Sequence, residues 1–237
     1  MFSAITGFAG TQPFNDWFAP DTTQRHVLGT RVPAVDPFWG MGVFVYIKSN
    51  DAILKGSLVM IDETFQCALL PSTAGQGFPF GVAMAPMASG TYGWIQVEGR
   101  VVYKTNATVA ADTAIAVAAA GIAGTLANGK QLCNVRNRIA ATGTKTFTAQ
   151  TYSGLGYVDV KAGYDGAFLG MALSGTGIPA STFVAGLDPD GKRIYLGSAI
   201  ATFDKTATAT GNITLTGTYT GYGSGIVNNP FAQGQVV

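Results

Sequence analysis

The chain holds a single histidine, His26, so any Ser–His or Cys–His machinery would have to be built on that one side chain. It sits in Thr22-Thr23-Gln24-Arg25-His26-Val27-Leu28-Gly29, a run without regular period, and reads as a packed or interface histidine. Carboxylates are as sparse, 13 in all. Asp62 and Glu63 are adjacent, and on a strand they point to opposite faces, which does not suit paired acid–base work. Asp188-x-Asp190-Gly191 echoes the start of a calcium loop. However, Ala199 stands where the bidentate Glu belongs and Lys192 where another oxygen ligand belongs, so a plain β-turn is expected. Gly75-x-Gly77 and Gly175-x-Gly177 lack the Gly-Lys-Ser/Thr and the strand-to-helix context of a phosphate loop. Cys67 and Cys133 have no zinc spacing; two buried free thiols are expected rather than a disulfide. The inventory points to no enzyme, no cofactor and no metal.

Elements must still position what chemistry there is, and composition bounds them. The chain has 237 residues, of which 47% are hydrophobic, so it can bury a core. Charged residues supply 11%, against about 25% in ordinary domains. A surface this neutral leaves patches that mark contact with partners, and an oligomer or assembly component is expected. Net charge is +1, and the densest basic cluster, Lys130, Arg136 and Arg138, has no interleaved aromatics, so nucleic acid is not an expected partner. The long uncharged stretch from Thr64 to Val97 is broken by Pro71, Pro79 and Pro86, which argues against a membrane span. No basic residue precedes Arg25, which argues against a secretory leader and fits synthesis in a cytoplasm. Without secretion the sequons at Asn106 and Asn212 carry no weight.

Residues 1–37 form the first expected unit, an N-terminal arm rich in aromatics and lacking any period. Such an arm lies either on its own domain or on a neighbouring subunit. Phe2, Phe8, Phe14, Trp17 and Phe18, with Phe38 and Trp39 just beyond, are the candidate partner-binding anchors. From Met41 the pattern becomes β. Val43–Lys48, Gly56–Ile61, Phe80–Met84, Gly93–Glu98 and Arg100–Lys104 read as strands, the last two as a hairpin-like pair about Gly99. The alanine-rich stretch 107–127 favours helix by propensity, but Ile115 and Val117 alternate with Ala114 and Ala116, which predicts two short strands joined near Ala119–Gly121. Leu132–Ile139 alternates as a half-buried strand. At Gly143 the composition turns to Thr, Gly and Ala with a strand ladder of its own. The expected architecture is therefore all-β. A sandwich- or barrel-like domain spans 38–142 and 221–237, and residues 143–220 form an inserted, Ig-like small β-sandwich between flexible glycine boundaries.

Six segments follow one another in a telling order: His26–Thr30, Asp36–Lys48, Lys55–Val59, Phe80–Ala85, Gly90-Thr91-Tyr92-Gly93-Trp94-Ile95-Gln96-Val97-Glu98-Gly99 and Val109–Thr113. Together they resemble the small β-rich capsid decoration (cement) proteins of tailed phages, and Val227–Gly234 is similar to that family's closing strand. The insert departs from the pattern, although Met171–Val184 resembles a β module of phage structural proteins. The resemblance implies a virion protein made in the host cytoplasm, a homotrimer on the outer capsid surface, and the major capsid protein as its partner. The alternative is an adhesion or carbohydrate-binding module, with the insert contacting a host surface glycan. Tyr152, Tyr157, Tyr164 and Tyr195 are then the candidates to stack on sugar rings, or else they pack in a core.

Overall fold

The apolar runs become strands in the computed structural model, which describes residues 3–4, 20–36, 40–164, 166–188, 190–200 and 202–233. In chain order these are β1 (Ser3–Ala4), β2 (Arg31–Asp36), β3 (Gly40–Ser49), β4 (Leu58–Ile61), β5 (Gln66–Leu69), β6 (Phe80–Ala83), β7 (Tyr92–Lys104), β8 (Ile115–Ala119), β9 (Ile122–Thr125) and β10 (Leu132–Asn137). There follow β11 (Thr142–Thr151), β12 (Tyr157–Val160), β13 (Ala172–Ser174), β14 (Thr182–Leu187), β15 (Arg193–Gly197), β16 (Gly211–Thr220) and β17 (Tyr222–Ala232). The protein is all-β, with no helix among the described residues. Two compact units separate: Thr142–Thr220 makes one, and most of the chain before and after it makes the other.

The larger unit is a sheet in the order β1-β2-β3-β5-β4-β6-β7-β17-β10. Because β7 also pairs with β3, the strands β3, β5, β4, β6 and β7 close into a ring. Inside it Val45, Ile47, Val59, Cys67, Ala83, Ile95 and Val97 are buried together. Burial pushes the Cys67 thiol up to about 12, whereas Cys133 is only half-buried; both are free. The opposite face of β3 and β7 is buried as well, which explains the near-continuous apolar text of both strands.

Here the expected arm gives way to packing. Residues 20–30 lie over the outer aromatic face of β3 and β7: Asp21 exchanges backbone hydrogen bonds with Tyr92, and Gly29 N–H donates to the Tyr46 carbonyl at 2.8 Å. Arg31–Asp36 is a strand of the sheet. Residues 20–35 therefore pack within the larger unit instead of standing off from it as an arm. Irregular backbone covering a sheet face has no period to read.

The hairpin expected about Gly99 is one 13-residue strand instead. Val43 faces Glu98 but Phe44 faces Gln96, so Val97 is the extra residue of a bulge. Gln96 Nε2 bridges the bend, donating to the Glu98 carbonyl at 3.0 Å and the Arg100 carbonyl at 2.9 Å. Beyond Gly99 (φ 96°) the strand leaves β3 and continues its ladder with β17. A second core forms there, from Leu58, Phe80, Val101, Tyr103, Ile115, Val117, Leu132 and Val227. The two short strands expected within 107–127 are β8 and β9, turning at Ala120-Gly121.

In the smaller unit, β11-β12-β15-β14-β13-β16 form a closed barrel. The long pair β11–β16 closes it in unbroken register, from Thr142↔Thr220 to Thr151↔Gly211. Where an Ig-like sandwich would divide the apolar faces between two sheets, here Phe147, Val158, Val160, Leu173, Val184, Ile194, Leu196 and Leu215 are buried within one six-stranded barrel. Strand alternation is the same in both architectures, so only the β11–β16 pairing distinguishes them. The glycine boundaries are not loose: Gly143 lies in β11 and Gly223 in β17, both in ladders. In the larger unit, Gly221 N–H donates to the Ala141 carbonyl at 2.7 Å, so the chain leaves and returns at neighbouring points.

Candidate functional surfaces

Each residue with chemical potential has a defined place. His26 packs edge-on against Tyr46, with ring centroids 5.0 Å apart, and lies 5.3 Å from Trp94. The Tyr46 hydroxyl donates to Asp21 at 2.8 Å, and Arg25 Nε pairs with the same carboxylate at 2.8 Å. The cluster joins the covering segment to the sheet, and no nucleophile stands beside the imidazole among these partners. Asp188, the calcium-like residue, spends one carboxylate oxygen on the backbone N–H groups of Lys192 (2.8 Å) and Arg193 (3.1 Å), which is turn capping. Asp62 does the same for Thr64 and Gln66. No group of three or more His, Cys, Asp or Glu able to hold a metal ion occurs among the described residues. No described helix is long and apolar enough to cross a membrane.

Burial raises the Tyr46 phenol to about 12 and pushes Tyr103 higher still, from an ordinary value of 10.0. Folding thus favours the protonated phenols. Their contribution to stability is complete below pH 10 and is lost as pH rises through the folded values. Tryptophan fluorescence should therefore hold steady to about pH 10 and report unfolding of the larger unit as pH approaches and passes about 12. Ionisation of Tyr46 or Tyr103 near pH 10 in the folded protein, followed residue by residue by NMR, would contradict this.

The candidate anchors Phe2, Phe8, Phe14, Trp17, Phe18, Phe38 and Trp39 all lie outside the described residues. Two other surfaces stand out. On β7, β17 and β10 the register sets Arg100 opposite Ile226 and Ile226 opposite Arg136. Ile226 is 60% exposed, an apolar centre in a basic row. Arg136 donates to the Asp112 carbonyl, and Arg138 pairs with the Asp112 carboxylate at 2.8 Å. Arg136 is near Arg138 in sequence, but Arg100 and Ile226 come from distant sequence, and only strand register joins them to it.

The second surface is on the barrel. Tyr157 and Tyr195 are directly opposite on β12 and β15, with ring centroids 6.1 Å apart and edge-on. Phe203, 60% exposed, meets Tyr195 edge-on at 5.8 Å. Arg193 lies over the Tyr157 ring at 4.5 Å and holds Asp159 through Nε at 3.0 Å. Partial burial, then the neighbouring Asp159 carboxylate, raises the Tyr152 phenol. Three of the four tyrosines considered for sugar stacking thus converge. Tyr164 does not: it is buried and its hydroxyl donates to the Asp188 carbonyl at 2.6 Å, so it belongs to the core. Sequence reasoning missed Phe203, Asp159 and Arg193. The first follows β15 in a loop, and the other two are cross-strand partners visible only once β12 and β15 are paired.

No family model matches the chain, and no curated protein and no solved structure shows significant similarity to it.

Proposed function

We propose that this chain is a structural virion protein. It binds the outer surface of a phage capsid and stabilises the shell by clamping neighbouring major capsid subunits, acting as a homotrimer. One observation supports this reading above others. Apart from Asp36, the described residues of the segments that resemble capsid decoration proteins (His26–Thr30, Asp36–Lys48, Lys55–Val59, Phe80–Ala85, Gly90–Gly99, Val109–Thr113 and 227–233) fall in one compact unit, and Thr142–Thr220 lies in the other. A unit with 60% exposed Ile226 between Arg100 and Arg136 also offers the apolar centre and polar rim of a contact surface. The physics of clamping is linkage: a ligand that binds only assembled shells stabilises them by mass action. Threefold symmetry adds avidity, because three weak feet on adjacent capsomers act as one strong attachment.

Particles of the phage that encodes the chain test this directly. Heads and tails separated on a gradient should show the chain in the head fraction, and heads lacking it should release DNA at lower temperature. A chain confined to the tail fraction, or absent from particles, would overturn the proposal.

A further inference from the structure

We infer that the outer face of the barrel is a binding site for a neutral saccharide, built from Tyr152, Tyr157, Asp159, Arg193, Tyr195 and Phe203. The inference goes beyond the capsid reading and does not rest on it. An exposed phenylalanine is common by itself; the way this one is held is what carries the argument. The loop that bears it is fixed by Asp204, whose carboxylate accepts from Ser198 N–H at 2.6 Å and from the Ser198 hydroxyl at 2.7 Å. Ala199 and Thr202 form a bridge within the same loop. The ring lies over Gly186, where a Cβ would come within 2.9 Å of Phe203 Cε1. A glycine near the end of β14 and a doubly held loop together present an apolar ring in a defined position, 60% open to solvent. A pre-set ring loses little conformational freedom when it binds.

The polar neighbours decide the ligand class. Arg193 is exposed and Asp159 half-buried, and their ion pair puts a planar donor beside a planar acceptor, next to the Tyr152 hydroxyl. Adjacent hydroxyls of a sugar are both donors and acceptors and match that pair. The C–H face of a pyranose matches an aromatic ring, which is apolar on its face and carries the negative side of its quadrupole there. One cation and one anion leave the patch with no net charge, so it offers no attraction to phosphate or sulfate chains. Tyr195 meets Tyr157 and Phe203 edge-on and Arg193 covers one face of Tyr157, so the three rings stand at angles to one another, and the exposed Phe203 ring is the face left to take a sugar ring beside the ion pair.

Affinity electrophoresis of the full chain through gels containing soluble β-glucan, α-glucan, galactan or mannan tests this. At least one neutral polysaccharide should retard the protein, and retardation should persist in about 0.5 M salt, where exposed charge attraction is screened. Phe203→Ala should weaken that retardation about tenfold, as loss of a central ring does in other sites. Arg193→Ala should weaken it as well, with the barrel still folded by circular dichroism. If either variant unfolds, Tyr152→Phe, which removes one hydroxyl and nothing else, should still reduce retardation. No retardation by any of the four polymers would overturn the inference. So would retardation that survives all three substitutions, or binding to heparin alone that salt abolishes. Binding to capsids bears on none of these outcomes.

Discussion

Gly99→Ala should lower the stability of the larger unit by about 3 kcal/mol, the sum of a left-handed backbone penalty and an overpacking cost of about 1–2 kcal/mol each. The φ of 96° is one that L side chains rarely adopt, and a Cβ there would lie 2.3 Å from the Met41 carbonyl oxygen and 2.8 Å from Gly42 Cα. Both obstacles are backbone of β3, held in the ring by its ladder with β7, so neither can step aside cheaply. Against a typical total of about 5–15 kcal/mol the loss is severe. Gly197→Ala should do comparable damage in the other unit, because its Cβ would come within 1.7 Å of the Thr202 carbonyl oxygen. No tryptophan lies within 142–220, and Trp94 is buried on β7 of the larger unit, so tryptophan fluorescence carries no signal from the smaller unit's own residues, whereas circular dichroism sees both. In urea, Gly99→Ala should shift the fluorescence transition and leave a dichroism transition behind. Gly197→Ala should shift the dichroism transition and spare the fluorescence. If both probes moved together in both variants, the two units would be one cooperative body.

The second large effect belongs to Asn137. Its side chain is fully buried, and its amide donates to the carbonyls of Ala110 (2.7 Å) and Ile139, while its Oδ1 accepts from the Tyr103 hydroxyl at 3.0 Å. One residue thus ties the end of β10 to β7 and to the loop before β8. Gly223 on β17 is packed against it so closely that a Cβ would sit 2.5 Å from Oδ1. Asn137→Ala strands the buried Tyr103 hydroxyl and frees two part-buried carbonyls, which water can partly reach, so a loss of about 3 kcal/mol is expected. Tyr103→Phe removes one donor and should cost about 1 kcal/mol or a little more. Chemical denaturation followed by tryptophan fluorescence measures both. An Asn137→Ala loss no larger than that of Tyr103→Phe would show that water replaces the missing amide and that the network is not what joins the strands.

Much of the fold is legible in the sequence because strands advertise themselves locally. Val43–Lys48, Thr182–Leu187 and the pair β8–β9 follow from alternation, β-branching and turn residues, all properties of a few consecutive positions. The alanine-rich stretch is instructive: period overruled propensity there, since Ile115 and Val117 had a core to enter. The shift to Thr, Gly and Ala at Gly143 stands one residue after the start of the smaller compact unit. Sparse charge and a single histidine likewise narrow the chemistry before any coordinates.

What pairing decides, the sequence alone does not carry. Whether six strands make a sandwich or a barrel depends on β11 meeting β16, and each strand alternates the same way in either case. Gly99 reads as a turn residue, yet it bends one continuous strand, because only the ladders on either side distinguish a hairpin from a bulge. Residues 20–30 look like a loose arm until the aromatic face of β3 and β7 beneath them is built. The two candidate surfaces follow the same rule. Arg100, Ile226 and Arg136, and equally Tyr157, Tyr195 and Phe203, are neighbours only across strands. Local pattern is set by side-chain chemistry over a few residues, whereas register is set by the simultaneous burial of every strand, so surfaces assembled across strands come from tertiary structure.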